Sequence, residues 1–277
     1  MPSPSRNKLK IYFFLIPAIV LAVAFAVFLP SIKEDIAAWK ENLAYQWRGK
    51  GEQIHSLYEA GLSSLNAKDY VQAVESFRSV LELDPGRTEA LFHLGKSYQE
   101  SGDLKRALAT FEELTARQPK SAQGFLQLGV IYNTLNQLEK ARENYLKSVD
   151  ADPAFADPYY HLGFLAESEG KIQEAMDYYS KAIERNPRLA EAQYNLGNIY
   201  AALGKIPEAR ASYEQAVAAN RNYEDAYVNL SIVSVKAGDF AKAIEALDEA
   251  VLLGYQPPEE YLRTLAPYRK KAQIAPL

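Results

Sequence analysis

Few side chains in this chain are able to do chemistry, and their spacing points away from catalysis. There are three histidines, His55, His93 and His161, and no cysteine. Disulfides, thiolate zinc sites, a cysteine nucleophile and a lipidated N-terminal cysteine are therefore excluded. A metal ion needs ligand atoms about 2 Å away, and His93 and His161 are too far apart in the repeating pattern set out below to share one. There is no glycine-rich phosphate loop and no nucleophile paired with a base, so no catalytic residue, metal or cofactor is expected. Rings and amides recur instead: Phe92, Leu126, Tyr160 and Tyr194 in one row, His93, Gln127, His161, Asn195 and Asn229 in the next, with Phe164 and Asn198 close by. A side-chain amide both donates and accepts, so repeated amides suit an extended polypeptide backbone held without regard to its side chains. Rings beside them supply apolar area at low entropic cost.

Those residues recur because the chain does. Glycine stands at Gly61, Gly95, Gly129, Gly163 and Gly197, 34 residues apart each time, and Ser231 takes the sixth place. Twelve residues after each comes alanine: Ala73, Ala107, Ala141, Ala175, Ala209 and Ala243. Sixteen after comes Phe77, Phe111, Tyr145, Tyr179, Tyr213 or Leu247, and twenty-four after comes Pro85, Pro119, Pro153 or Pro187, replaced at the end by Arg221 and Tyr255. Apolar spacing makes each unit two helices, with Gly102-Asp103, Gly170-Lys171, Gly204-Lys205 and Gly238-Asp239 suited to a left-handed helix end between them. The glycine is expected to let the paired helices approach closely.

A 34-residue helix pair with this pattern strongly resembles the tetratricopeptide repeat, over residues 54 to about 257. The resemblance implies an all-α superhelical solenoid of six helix pairs: 54–87, 88–121, 122–155, 156–189, 190–223 and 224–257. A capping helix and tail follow at 258–277, with Pro267 expected to end the helix. One face of each first helix is used for packing. The other carries the residues six, three and two before the glycine and the one after it. In the resembled family that face lines the concave groove where partner segments bind. The groove residues implied are Phe92, His93, Leu126, Gln127, Tyr160, His161, Phe164, Tyr194, Asn195, Asn198 and Asn229. An acidic edge, His55, Glu89, Gln123, Asp157, Glu191 and Asp225, would prefer basic or neutral segments. Clamps for a chaperone's terminal carboxylate use Lys, Arg and Asn on this face; Asn198 and Asn229 match the asparagine part, while the candidate cation positions hold Tyr194 and Asp225. Asn229-Leu230-Ser231 matches a glycosylation sequon but falls within a helix.

Ahead of the repeats, residues 11–30 carry no charge and no strongly polar side chain. Twenty helical residues cover the hydrocarbon thickness of a bilayer. The run exceeds the apolar core of a cleaved signal peptide, so an uncleaved transmembrane helix is expected after a basic tail at 1–10. Residues 31–53 carry a sided stripe, Ile32, Ile36, Trp39, Leu43 and Trp47: a stalk helix packing on the first unit, or an interfacial helix with its tryptophans at headgroup depth. Arg6, Lys8, Lys10 and the terminal amine favour an N-terminus in the cytoplasm and repeats outside it. Residues 1–53 hold seven Lys/Arg against four Asp/Glu of the chain's 31 and 35, leaving 24 against 31 for the rest. An acidic body disfavours nucleic acid as a partner.

These features predict a membrane-tethered, non-enzymatic scaffold, with a polypeptide client in the groove and a role in assembling an envelope complex. Two alternatives remain: a cytosol-facing anchored receptor or co-chaperone for protein targeting, and a non-catalytic subunit of an enzyme complex.

Overall fold

A computed structural model of the chain describes residues 35–43 and 48–271. The expected basic tail at 1–10 and span at 11–30 lie outside the described residues, as do residues 31–34 and 44–47 of the expected stalk. Among the described residues no helix is long and apolar enough to cross a membrane. The chain divides into two units, 1–90 and 91–277, each described by itself.

In the first unit, residues 35–43 are helical and exposed throughout. Trp39 is 63% exposed, and Ile36 and Leu43 are exposed beside it. The stalk expected to pack on the first repeat therefore makes no such packing through these side chains, and its apolar side faces outward. Helix α1 (48–66) and helix α2 (Tyr70–Leu83) form the first pair. Phe77 of α2 lies against Gly61, where a Cβ would come within 2.7 Å of the ring. Tyr58 meets Phe77 edge-on at 5.7 Å and carries the Arg87 guanidinium 4.6 Å from its own ring.

Helix α3 (Thr88–Glu100) leads into the second unit, where α4 (Leu104–Arg117), α5 (Ala122–Thr134), α6 (Leu138–Ala151), α7 (Asp157–Ser168) and α8 (Ile172–Arg185) follow. Then come α9 (Ala190–Ala202), α10 (Ile206–Ala219), α11 (Glu224–Lys236), α12 (Phe240–Leu253) and α13 (Glu259–Lys271). Every described element is an α-helix. Within this unit a helix packs on its chain neighbours: α5 on α6, α6 on α7, and so on to α12 on α13. This is the nearest-neighbour arrangement of a repeat stack.

The punctuation of the stack is chemical. Asn186 and Asp152 end their helices by accepting a backbone N–H two residues on, at 3.1 and 3.0 Å. Each is followed by a proline, which disfavours helical conformation in the residue before it. Asp103 and Asp239 start α4 and α12 by accepting the N–H of Arg106 and Lys242. Between the helices of a pair one residue turns left-handed, Gly102 or Gly204 for example, with Asn136 at the same place in the α5/α6 pair.

Each pair closes by a ring laid on a bare glycine. A Cβ on Gly197 would lie 2.8 Å from Tyr213, and one on Gly163 would lie 2.7 Å from Tyr179. The sixth pair obeys the same constraint in reverse. Its ring position holds Leu247, and the space admits Ser231, whose hydroxyl donates to the Ala243 carbonyl at 2.7 Å and meets the Tyr261 hydroxyl at 2.8 Å. Ser231 is fully buried, and the sequon's acceptor Asn229 is half-buried within α11.

Pro267 does not end α13. The helix continues to Lys271 because its far end is anchored on the α12 side of the core. Leu265 is fully buried with Ala243, Ile244 and Leu247. The Tyr268 ring stacks on Phe240 at 3.5 Å, and Arg269 pairs with Asp248. The proline forfeits one backbone bond, to a carbonyl on exposed Arg263 where water can replace it.

Gly197→Ala tests the ring contact. Helix propensity alone would favour alanine by about 1 kcal/mol, but the clash with Tyr213 should win and destabilise the chain by about 1–3 kcal/mol. Adding Tyr213→Leu, the Ser231/Leu247 solution, should cost less in that background than in the native one. Thermal unfolding of the four members of the cycle measures the difference.

Candidate functional site: a tyrosine and asparagine ladder on the first-helix face

The ring that closes each pair is long enough to reach the opposite side. Tyr179 of α8 is fully buried, yet its hydroxyl emerges between two first helices. There it donates to Glu167 Oε2 of α7 at 2.7 Å and accepts from Asn195 Nδ2 of α9 at 3.2 Å. One pair on, the Tyr213 hydroxyl donates to Asn198 Oδ1 of α9 at 2.7 Å. Asn229 Nδ2 of α11 donates to the same Asn198 oxygen at 3.1 Å and to the Tyr194 hydroxyl at 3.2 Å. The Tyr179–Glu167 and Tyr213–Asn198 bonds tie the two helices of one pair, and the Asn195 and Asn229 bonds run to the neighbouring pair, so the face is cross-braced by residues expected to meet a ligand.

Burial dominates the electrostatics here. Loss of water pushes the Tyr213 phenol up to about 12, with Tyr194 adding to it, and the Tyr179 phenol higher for the same reason, reinforced by its bond to Glu167. These rings are neutral donors at any physiological pH. The α5/α6 pair differs. Tyr145 is fully buried, and its hydroxyl has no hydrogen-bond partner among the described residues. In place of asparagine it meets His161, stacked on its ring at 5.0 Å with the planes 10° apart. Burial lowers the His161 pKa to about 4, so the imidazole is uncharged at neutral pH.

The expected groove residues do not form one continuous set. Tyr160, His161, Tyr194, Asn195, Asn198 and Asn229 come together in the ladder and are half-buried, held by neighbours but open on one side. Tyr160 lies against His161 at 5.2 Å and Tyr179 at 6.0 Å, and Tyr194 against Tyr213 at 5.8 Å. Phe164 stands free of the ladder, 46% exposed. Phe92 and His93 on α3 form a separate ring contact, Phe92 meeting His93 at 5.4 Å and Phe111 at 5.8 Å, and Gln127 is half-buried on α5. Leu126 does not line the face. It is 5% exposed and packs with Ala141, Tyr145, Leu162 and Leu165, because an aliphatic side chain at that position sinks between the helices where a ring with a hydroxyl does not. Among the described residues no three His, Asp or Glu side chains could hold a metal ion.

Tyr179, Tyr213, Glu167 and Tyr223 were not singled out from the sequence. A trace of the first two was present. The ring position is tyrosine where the next unit carries His161, Asn195 or Asn229, and phenylalanine where it carries His93 or Gln127. Tyr223 lies just before α11, outside the helical register, and packs on Tyr194 at 4.9 Å.

Known proteins give the same architecture. Tetratricopeptide repeat models match residues 64–126, 155–222 and 194–261, and a TPR repeat model matches 129–167. The chain belongs to the tetratricopeptide repeat family. Among solved structures, pilF of Pseudomonas aeruginosa is 20% identical, with a TM-score of 0.58 over 67% of this chain and 86% of its own. YrrB, described as a TPR protein with an unusual peptide-binding site, is 23% identical, with a TM-score of 0.50 over 72% of this chain and 100% of its own. The Cut9–Hcn1 assembly is 18% identical, with a TM-score of 0.61 over 77% of this chain and 42% of that one. At such identities the likeness is one of tetratricopeptide fold alone. No curated protein matches the chain.

Two outcomes follow for the braced face. Tyr145→Phe removes a buried hydroxyl without a hydrogen-bond partner among the described residues and should be neutral or stabilising. Tyr179→Phe strands Asn195 and Glu167 and should cost about 1 kcal/mol or more in chemical denaturation. His161 gives the second. Its folded pKa lies below the ordinary value of 6.5, so the unfolded chain binds the extra proton. Its contribution is whole above about pH 6.5 and is lost as the pH falls toward 4, up to about 2 kcal/mol between pH 7.5 and 5. His161→Asn should flatten that part of the stability profile.

Proposed function

We propose that the chain is a membrane-tethered interaction scaffold whose first-helix face, from α7 to α11, binds an extended polypeptide segment of a client during assembly of an envelope complex. The observation that carries this is the ladder itself. Asn195, Asn198 and Asn229 are fixed by tyrosine hydroxyls on a face the stack does not use for closing pairs. Asn198 Nδ2 and Asn229 Oδ1 remain outside those bonds, a donor and an acceptor of the kind a peptide backbone needs. Phe164 and the open sides of Tyr160 and Tyr194 supply the apolar area beside them. Preorganised amides lose little entropy on binding. That YrrB carries a peptide-binding site indicates what the fold can do; the residues of this chain make the case here.

The tether is argued from the apolar, uncharged run at 11–30 and from the outward side of residues 35–43. Exposed Ile36, Trp39 and Leu43 suit a helix lying at the bilayer interface immediately after a span. The basic residues before the span favour a cytoplasmic N-terminus with the repeats on the other side. Tetratricopeptide repeats act by holding other proteins, and no reaction is proposed.

In full-length chain recovered from membranes by cross-linked pulldown, Phe164→Ala with Tyr194→Ala should lower client recovery about tenfold or more while far-ultraviolet circular dichroism stays helical. Undiminished recovery would contradict the proposal. A C-terminal alkaline phosphatase fusion should be active and a fluorescent-protein fusion dark; the opposite pair of results would favour the cytosol-facing receptor.

A further inference from the structure

Along one edge of the ladder, at the starts of three successive first helices, Asp157, Glu191 and Asp225 stand 34 residues apart, with Tyr160 and Tyr194 one turn on from the first two. Tyr160 comes from α7, Tyr194 from α9, and Tyr223 from the turn before α11. Tyr194 and Tyr223 lie 4.9 Å apart with their planes 37° from parallel. Asp157 sits at the start of α7, Glu191 at the start of α9 and Asp225 at the start of α11. Burial first and then the Glu191 charge raise the pKa of Asp157 and Tyr160, and Glu191 contributes at Tyr223 as well. Tyr223 also feels Tyr194, Tyr160 and Asp225, after the loss of water that is its largest cause.

Acids in the first turn of a helix have a simple structural explanation, the favourable interaction with the helix dipole. Asp157 does not fit it. Its carboxyl is pushed up, first by burial and then by Glu191, so the fold holds it where its charge is disfavoured. None of the three carboxylates forms an ion pair with Lys, Arg or His among the described residues, although ion pairs are frequent elsewhere on the chain, as in Arg142–Glu169 and Arg210–Asp239. Nor do the three form a group able to hold a metal ion. Electron-rich ring faces beside unpaired carboxylates are complementary to one kind of ligand, an organic cation.

We infer that Tyr160, Tyr194 and Tyr223, with Asp157, Glu191 and Asp225, form a cage for one basic side chain, lysine or arginine, of the polypeptide segment bound along the ladder. The cage rests on the peptide-binding role proposed above and adds to it a fixed point. The amides hold backbone without regard to sequence, and the cage selects the register by taking a cation at one position. Client segments are therefore basic at that position and unrestricted at the neighbouring ones. Tyr223 serves only here, because it lies off the stripe that contacts the rest of the segment.

The test uses full-length chain in detergent micelles and a displayed library of random 12-residue peptides. The enriched peptides should share a lysine or arginine at one position. Replacing that residue by glutamine in a synthetic copy should weaken binding about tenfold. Glu191→Gln and Tyr223→Leu should each shrink the tenfold difference between the basic peptide and its glutamine copy to about twofold or less. Enrichment without a basic position, or a preference unchanged in both variants, overturns the cage and leaves the peptide-binding role standing. Failure to enrich any peptide overturns both. Binding to phosphatidylcholine vesicles that Tyr223→Leu abolishes, with no lysine-dependent peptide binding, would assign the cage to a lipid headgroup and overturn the proposal.

Discussion

The contact between one aromatic ring and one bare glycine backbone sets the geometry of this protein. In the α9/α10 pair the Tyr213 ring occupies the place a Cβ on Gly197 would need, and the two helices close until ring meets backbone. That proximity compensates for the conformational entropy glycine adds to the unfolded helix. It also fixes where the far end of the ring emerges. A phenylalanine would fill the same space and stop, whereas a tyrosine carries a hydroxyl through the core to the other side. The packing contact and the functional face are two ends of one side chain.

Because the hydroxyls reach the face, the amides there are not free-swinging surface groups. Asn198 accepts from Tyr213 and Asn229 at once, and Asn195 is held by Tyr179. The Tyr213 bond ties the two helices of one pair and the Asn195 and Asn229 bonds run from one pair to the next, so the face is held by the stacking of the array as well as by its own helices. The Tyr145–His161 step lacks this brace and relies on ring stacking. A proton changes the balance there, because a charged imidazole cannot remain buried against a neutral ring without loss.

The repeat made most of this architecture legible in advance. A glycine, an alanine and a ring at constant offsets specify two helices and a close approach, and the structure supplies the reason: a Cβ on Gly197 would come within 2.8 Å of the Tyr213 ring. Individual side chains were harder to place. Leu126 shares a repeat position with Tyr160 and Tyr194, but an aliphatic chain without a hydroxyl sinks into the core. Tyr223 was invisible to helical periodicity because it lies before the helix begins. Pro267 looked like a terminator, since local propensity carries no information about Leu265 and Tyr268 anchoring the far end. The braces between Tyr179 and Asn195 were legible only as a correlation between tyrosine in one unit and asparagine in the next.

The central claim is that a client polypeptide lies along the first helices of α7 to α11. A photoactivatable benzoylphenylalanine placed at Phe164, exposed on α7, tests it most directly when compared with one at Leu146, exposed on α6, the second helix of its pair. Irradiation of the full-length chain in its native membrane should give a discrete polypeptide adduct from position 164 and little from 146. Adducts from 146 with none from 164 would place the binding surface on the second helices and contradict the account.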